Sequence, residues 1–393
     1  MEVAINISAI ENDNCTGCHA CFNVCPVQAI TMKADGEGFL YPQVDENQCI
    51  QCGLCLNACP VHIKPAVKTE REAYAAYAKD QNEHATSSSG GIFAVLARYV
   101  LKIGGYICGA AFDETTTLKH ILTNKEEDLI KLKGTKYVQS EIGDVYSQIR
   151  DLLDQGTIVL FSGTPCQVGG LKSFLNKQYD NLLTVDLICH GVPSPAVFRR
   201  YLSEISGEHT VKRMSFRDKT NGLSDVYLTY NLSNGETVRE KYLDSEYIKG
   251  FIQNLTIRPS CFVCKFKGID RCSDITIGDY WGLNDYHPEM ITEMGTSAVI
   301  IHSKQGQEFF EAVKEELEYV KSKPEFVSFW NACLEKSVEY NPLRMDFFRN
   351  FETTNVKDNV NRLYKVLEKK PGKRSLLKKV IRKVKDVIKH GNS

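Results

Sequence analysis

Eight of the chain's 15 cysteines lie between Cys15 and Cys59, in two copies of one spacing. Cys15-x2-Cys18-x2-Cys21-x3-Cys25-Pro26 recurs as Cys49-x2-Cys52-x2-Cys55-x3-Cys59-Pro60. Three cysteines two residues apart let one tight loop reach three corners of an iron–sulfur cubane, and the fourth, before proline, points away to the neighbouring cubane. The spacing therefore assigns Cys15, Cys18, Cys21 and Cys59 to one [4Fe–4S] cluster, and Cys25, Cys49, Cys52 and Cys55 to a second. Zinc, the main alternative, uses local cysteine pairs rather than three in succession with a proline-flanked fourth. Gly17, Gly53 and Ala58 leave room for backbone N–H groups to approach the sulfurs.

The rest of the composition narrows the setting. With 393 residues the chain is long enough for two or three domains. A net charge of −1 gives no global field for nucleic acid or membrane. Residues 1–10 lack a basic n-region, and the best apolar stretch, residues 91–101, is short and holds Arg98. A cytoplasmic protein is expected, and in a reducing compartment clustered cysteines point to metal or redox use rather than disulfides.

From residue 73 strands and helices alternate, which implies an α/β core. Strands are expected at 73–78, 105–112, 157–161, 182–187, 274–277 and 298–302. Helices are expected at 91–103, 145–153, 167–176, 196–205 and 305–319. Asn234–Gly235 marks a hairpin between 225–232 and 236–242. From Lys373 onward the chain is basic, with Leu376, Leu377, Val380, Ile381, Val384, Val387 and Ile388 forming an apolar stripe at helical spacing. Such a helix either packs on its own domain or lies on an anionic membrane surface.

Seven cysteines remain. Cys108 and Cys333 read as small buried apolar residues. Cys166 and Cys189 each follow a strand, and Cys261-x2-Cys264 is a local metal-binding pair with Cys272 further along. Carboxyl ends of neighbouring strands share one crevice. Cys166, Cys189, Cys261 and Cys264 are thus expected to converge on a third [4Fe–4S] cluster, with Cys272 as the spare or a substitute. Zinc, or a reactive Cys166 thiol at a helix start, are the alternatives. Three turns offer a cofactor site. Ser88, Ser89, Gly90 and Gly91 open an apolar helix, which suits phosphate. Lys136 and Tyr137 follow Gly134, and Gly163 and Thr164 follow a strand. Ordinary loop chemistry and a serine N-cap are the plain reading of each. Clusters move one electron at a time, so a two-electron substrate would call for a flavin as converter.

Five ordered motifs carry a family resemblance. They are residues 87–93 (SSSGGIF), 134–140 (GTKYVQS), 161–167 (FSGTPCQ), 186–195 (DLICHGVPSP) and 274–282 (DITIGDYWG). Over residues 73–303 the chain resembles the beta subunit of coenzyme F420 hydrogenases and dehydrogenases. The same region resembles chlorophyll-pathway reductases that take electrons from ferredoxin. The stretch ending near Pro65 resembles two-cluster bacterial ferredoxins. The resemblance implies one FAD and one further cluster. It carries Ser88, Ser89, Gly90, Gly91, Lys136, Tyr137, Gly163 and Thr164 as flavin contacts, and Cys166, Cys189, Cys261 and Cys264 as ligands.

The expected architecture is an α+β ferredoxin-like N-terminal module, then a larger α/β domain with a mixed sheet and a β-hairpin insertion, then a helical tail. The boundaries are 1–66, 67–345 and 346–393. The expected function is an iron–sulfur flavoprotein oxidoreductase. It would pass electrons from an external ferredoxin or other redox protein, through three clusters and FAD, to a small-molecule or sugar-linked acceptor. His190, Lys136, Tyr137 and Asp279 are candidate acid–base groups. A relay protein without its own substrate and a reductase of a surface-polysaccharide pathway are the alternatives. No nucleic-acid partner is expected, and the basic tail offers a peripheral contact with the inner membrane face.

Overall fold

The computed structural model describes residues 6–68 and 71–369. The basic stripe of residues 373–389 lies outside them. In chain order the strands are β1 (Ile30–Ala34), β2 (Leu40–Val44), β3 (Glu72–Ala78), β4 (Tyr106–Phe112), β5 (Leu118–Thr123), β6 (Val159–Gly163) and β7 (Leu182–Leu187). They continue with β8 (Val211–Asp218), β9 (Tyr227–Leu232), β10 (Thr237–Lys241), β11 (Ile275–Asp279), β12 (Ser297–Ile301) and β13 (Leu317–Ser322).

The cysteine repeat is also a backbone repeat. In each copy the residues on both sides of the second cysteine adopt positive φ: Gly17 (65°) and His19 (62°) around Cys18, Gln51 (54°) and Gly53 (73°) around Cys52. Two left-handed residues wind the loop tightly and start a short helix, Ala20–Val24 or Leu54–Asn57, that holds the third cysteine. Between the copies β1 and β2 pair antiparallel, closed by a turn in which the Asp35 carboxylate accepts the N–H groups of Glu37 and Phe39.

Eight strands form one mixed sheet, ordered β13-β3-β12-β11-β7-β6-β4-β5. The central run β11-β7-β6-β4 is parallel, and the flanking pairs are antiparallel. The parallel strands are near-continuous apolar runs, as expected where both faces are covered. Alternate residues serve the two faces. Leu160, Leu183, Val185 and Ile275 pack with helices Ile92–Lys102 and Lys304–Val313 on one side. Val159, Phe161 and Leu182 pack with helices Val145–Asp154 and Pro165–Leu175 on the other.

Three elements depart from the sequence reading. The hairpin β9-β10 gains a third strand, β8, forming a separate sheet. The antiparallel strand β5 has no clear sequence signal, because Lys119 and His120 interrupt its apolar pattern. The helix expected over 305–319 ends at Val313, and after a 3-10 turn Leu317–Ser322 pairs with β3 from Leu317↔Ala78 to Ser322↔Ala73. Pairing the open edge of β3 outweighs the helical preference of the glutamates there. At the C-terminal side, helices Leu343–Arg349 and Val356–Lys369 bury Phe347, Phe351, Val360 and Leu363 against helix Pro195–Ser206 and the second sheet. Among the described residues no helix is long and apolar enough to cross a membrane.

Gly90 shows how closely the loop before helix Ile92–Lys102 sits on the sheet. Its N–H donates to Ser297 Oγ (2.9 Å) and its carbonyl accepts from Ala78 N (2.7 Å). A Cβ there would sit on the Ala76 carbonyl oxygen and 2.9 Å from the Ser297 nitrogen. Gly90→Ala is expected to cost about 1–3 kcal/mol of stability in cofactor-free protein, read from denaturant unfolding. A contact residue for a cofactor and nothing else would leave the cofactor-free protein unchanged.

Candidate redox centre

Cys15, Cys18, Cys21 and Cys59 line one cavity of about 330 Å³, with Ile7 and Met32. Burial pushes the Cys18 thiol up to about 12, and the neighbouring Cys59 and Cys15 thiols push it further, while the Ala20 N–H works in the thiolate's favour. Backbone N–H groups of His62 and Val61 do the same for Cys59. The other four cysteines lie further out. Cys25 Sγ accepts the Ala29 N–H at 3.2 Å, Cys55 is buried beside Cys49, and Cys52 is exposed.

Cys166, Cys189, Cys261 and Cys264 line a second cavity of about 460 Å³. Cys166 enters from the start of helix Pro165–Leu175, where Thr164 and Gln167 form a reciprocal cap. Cys189 enters just past β7, and the Cys261–Cys264 loop closes over both. Burial pushes Cys166 well above an ordinary thiol, with Cys264, Cys189 and Cys261 adding to the effect. That is the reverse of an activated nucleophile, so the bare thiol has no reason to act as one. Cys272 faces Asp186, Lys172 and Arg271 instead, and Cys108 is buried in β4. Cys333 lies beside the second cavity, its Sγ 3.5 Å from His190 Nδ1.

These thiols suit a four-cornered cluster. They converge from separate elements, they are desolvated, and backbone N–H groups approach the sulfurs, which is the surrounding that tunes such centres. Among the described residues no group of three or more His, Cys, Asp or Glu is arranged to hold a single metal ion. The two cavities are adjacent: Thr16 lines both, and Cys18 packs on Gly170 of the helix that carries Cys166. One apolar cluster around Phe266 gathers Cys21, Cys55 and Cys59 with Cys25, Cys166 and Cys264.

Residues 156–325 match the family model for the C terminus of the beta subunit in coenzyme F420 hydrogenase/dehydrogenase, and residues 14–63 match the 4Fe-4S dicluster domain. The chain joins a 4Fe-4S dicluster domain to an F420 hydrogenase/dehydrogenase beta-subunit domain. It is an iron–sulfur electron-transfer protein related to the subunits of those enzymes. One relative is a subunit, designated F, of the F420H2 dehydrogenase of Methanosarcina mazei. It is 24% identical over 329 residues, 79% of this chain and 86% of its own length. An uncharacterised protein of Methanocaldococcus jannaschii is 27% identical over 253 residues, 60% of this chain and 62% of its own. A chain of the F420-reducing [NiFe] hydrogenase complex of Methanosarcina barkeri is 18% identical, covering 77% of this chain and 92% of that one. Its TM-score of 0.43 marks a superposition too loose to carry a fold assignment.

In the beta-subunit domain the remaining sequence candidates fall into separate groups. The loops at 88–91 and 134–137 meet, since Ser88 Oγ accepts the Thr135 N–H at 2.5 Å. Ser89 Oγ donates to Thr296 O, and Gly91, at φ 85°, starts the helix. Lys136 caps its own loop, donating to the carbonyls of Leu132, Lys133 and Gly134, and burial pulls it down to about 7. Tyr137 packs among Phe216, Tyr242 and Phe251. Asp279 pairs with Arg217 at 2.7 Å, and Arg217 also faces Tyr137. His190 stands apart from them. It lines the second thiol cavity, bonds Asn254 Oδ1 at 2.8 Å, and is held down to about 4 by burial. Gly163 is buried under Gln167, and Thr164 Oγ1 lies 3.1 Å from Cys166 Sγ. These two belong with the cysteines rather than with Ser88 and Lys136.

Sequence reasoning missed the cations. Arg217 and Lys219 sit on and just after β8. The Lys219 ammonium is buried and donates to the carbonyls of His84, Ser89 and Met294, and among the described residues it makes no ion pair. Lys267 donates to the Cys189 and Cys333 carbonyls at the rim of the second thiol cavity. Single cations in loops and edge strands leave no periodic trace.

Several histidines are buried uncharged. His120 stacks on Phe161, bonds the Ser162 carbonyl at 3.1 Å, and is lowered to about 4 by burial. An unfolded histidine binds its proton near pH 6.5, so the unfolded state takes up the proton first as pH falls. Stability is therefore expected to drop between about pH 6.5 and 4. In His120→Gln, whose amide can still donate to Ser162 O, that part of the loss should disappear from denaturant midpoints measured across this window.

Proposed function

We propose that the chain is an iron–sulfur flavoprotein oxidoreductase that exchanges electrons between a partner redox protein and a two-electron acceptor through three [4Fe–4S] clusters and FAD. Bound clusters supply one-electron chemistry, and a bound flavin supplies the conversion to two. The single observation that carries the reading is the meeting of all three cysteine sets in one apolar cluster around Phe266. Within it the set of Cys15, Cys18, Cys21 and Cys59 lies between the other two.

The chain's own residues divide the work. Cys52, exposed and flanked by exposed Ile50 and Leu54, makes the outer set the natural docking point for a redox partner. Buried thiols and backbone N–H groups exclude water from the inner sets and orient their ligands. In the beta-subunit domain Ser88, Ser89, Gly91 and Lys136 would cradle the flavin. The buried Lys219 ammonium beneath Ser89 adds a positive field that suits an anionic cofactor. Tyr137, Arg217 and Asp279 are the groups best set to hold or move a proton there. The relay reading, in which a partner protein owns the substrate, is favoured by the M. mazei relative, which is itself named as a subunit.

Protein purified without oxygen is expected to hold about 12 Fe and one flavin per chain. About 8 Fe and no flavin would overturn the reading of the second domain. Cys189→Ser should remove about four Fe, whereas Cys272→Ser should remove none. Loss of iron in the Cys272 variant would instead make that residue a ligand.

A further inference from the structure

Arg258 is the largest side chain buried without any exposure, and among the described residues it forms no ion pair. Its partners are neutral. Nε donates to the Cys15 carbonyl (2.7 Å), Nη1 to Gln139 Oε1 (3.0 Å) and Nη2 to the Leu40 carbonyl (2.9 Å). The guanidinium lies over the Tyr41 ring at 4.2 Å and the Phe39 ring at 5.4 Å. It lines the cavity of Cys166, Cys189, Cys261 and Cys264. On its other side it abuts Gly17, which lines the cavity of Cys15, Cys18, Cys21 and Cys59. A fixed cation thus sits in the wall between the two inner thiol sites.

Burying a charge without a counterion is expensive. The arrangement makes sense if the counterions are the occupants of the two cavities, since a cluster held by four thiolates is an anion overall. Neighbouring groups register the field: Arg258 adds to the lowering of His19 and opposes the burial of Cys261.

We propose that Arg258 is a positioning residue that raises the reduction potential of both inner clusters and so favours electron residence on the inner side of the outer site. This rests on the three-cluster reading above. Reduction of either inner site adds one electron and makes or breaks no bond. The electron comes from the low-potential redox protein that docks at the outer set, or from dithionite in the test. The guanidinium balances the added charge in place of a proton. In a low-dielectric wall such a fixed charge acts strongly on both sides.

The test is a redox titration of anaerobically purified full-length protein, followed by electron paramagnetic resonance. In Arg258→Gln the inner signals should become harder to reduce by at least tenfold in the equilibrium constant, which is about 59 mV for one electron. The outer signal should stay in place. Arg258→Lys, which keeps the charge and loses the fork, should restore most of the shift. If Arg258→Gln does not fold, Gln139→Glu puts a carboxylate against Nη1 and neutralises the cation where it stands, and the same fall is expected. Unmoved inner potentials in either variant, with iron content retained, would overturn the proposal, as would an equal shift of the outer signal. Iron analysis of the unaltered protein separates the two readings. With about 8 Fe the third cluster is gone, yet the Cys15, Cys18, Cys21 and Cys59 site still answers to Arg258.

Discussion

Parallel pairing of β7 with β6 on one side and β11 on the other is the constraint from which the site hangs. It aligns the exits of three strands on one rim, so Thr164 and Cys166, Cys189 and His190, and Asp279 leave the sheet side by side. β3 runs in the same direction two places away, and its exit leads to the loop of Ser88 to Gly91. No residue of the candidate centre is near another in sequence beyond its own turn. The sheet register makes them neighbours, and the 4Fe-4S domain then closes the rim from outside.

Beneath the rim the sheet buries charge as well as hydrocarbon. Asp274 and Asp186 are both inaccessible to solvent, yet their surroundings drive them apart. Burial would raise Asp274, but Lys172 and Lys68 more than offset it and hold the carboxylate below its usual range. Asp186 is raised by burial, with Arg271 3.6 Å away opposing the shift only in part. Arg271 also borders the second thiol cavity, so this network forms the floor of that site. Such paired charges do little for net stability, and removing one partner would leave the other stranded.

The cysteine sets were legible in the sequence because their chemistry is local. A loop that must reach three corners of one cluster has to repeat its spacing, and strand exits follow from the alternation of apolar runs. Grouping Cys166 and Cys189 with Cys261 and Cys264, and leaving out Cys272, needed no more than that. The glycines misled in part. Gly90 and Gly163 are explained by backbone and side chains pressing on them, a demand that a motif cannot separate from ligand contact. Arg258, Lys219 and Arg217 were invisible, since a buried cation is defined by distant carbonyls and rings. Strand β13 was lost because its pairing depends on the open edge of β3, at the far end of the domain's sequence.

The two left-handed positions around each second cysteine are filled in opposite ways. The first copy has glycine before it and histidine after it, the second glutamine before and glycine after. Geometry alone would allow either choice in either copy. Surroundings break the tie. A side chain at position 17 would collide with Arg258 and Gln139, whereas Gln51 faces solvent. An internal duplication keeps its symmetry only while both halves see the same environment. Once one half is sealed against a larger body, its freedom to vary is set by that body, and the two copies cease to be interchangeable even though their backbones still trace the same path.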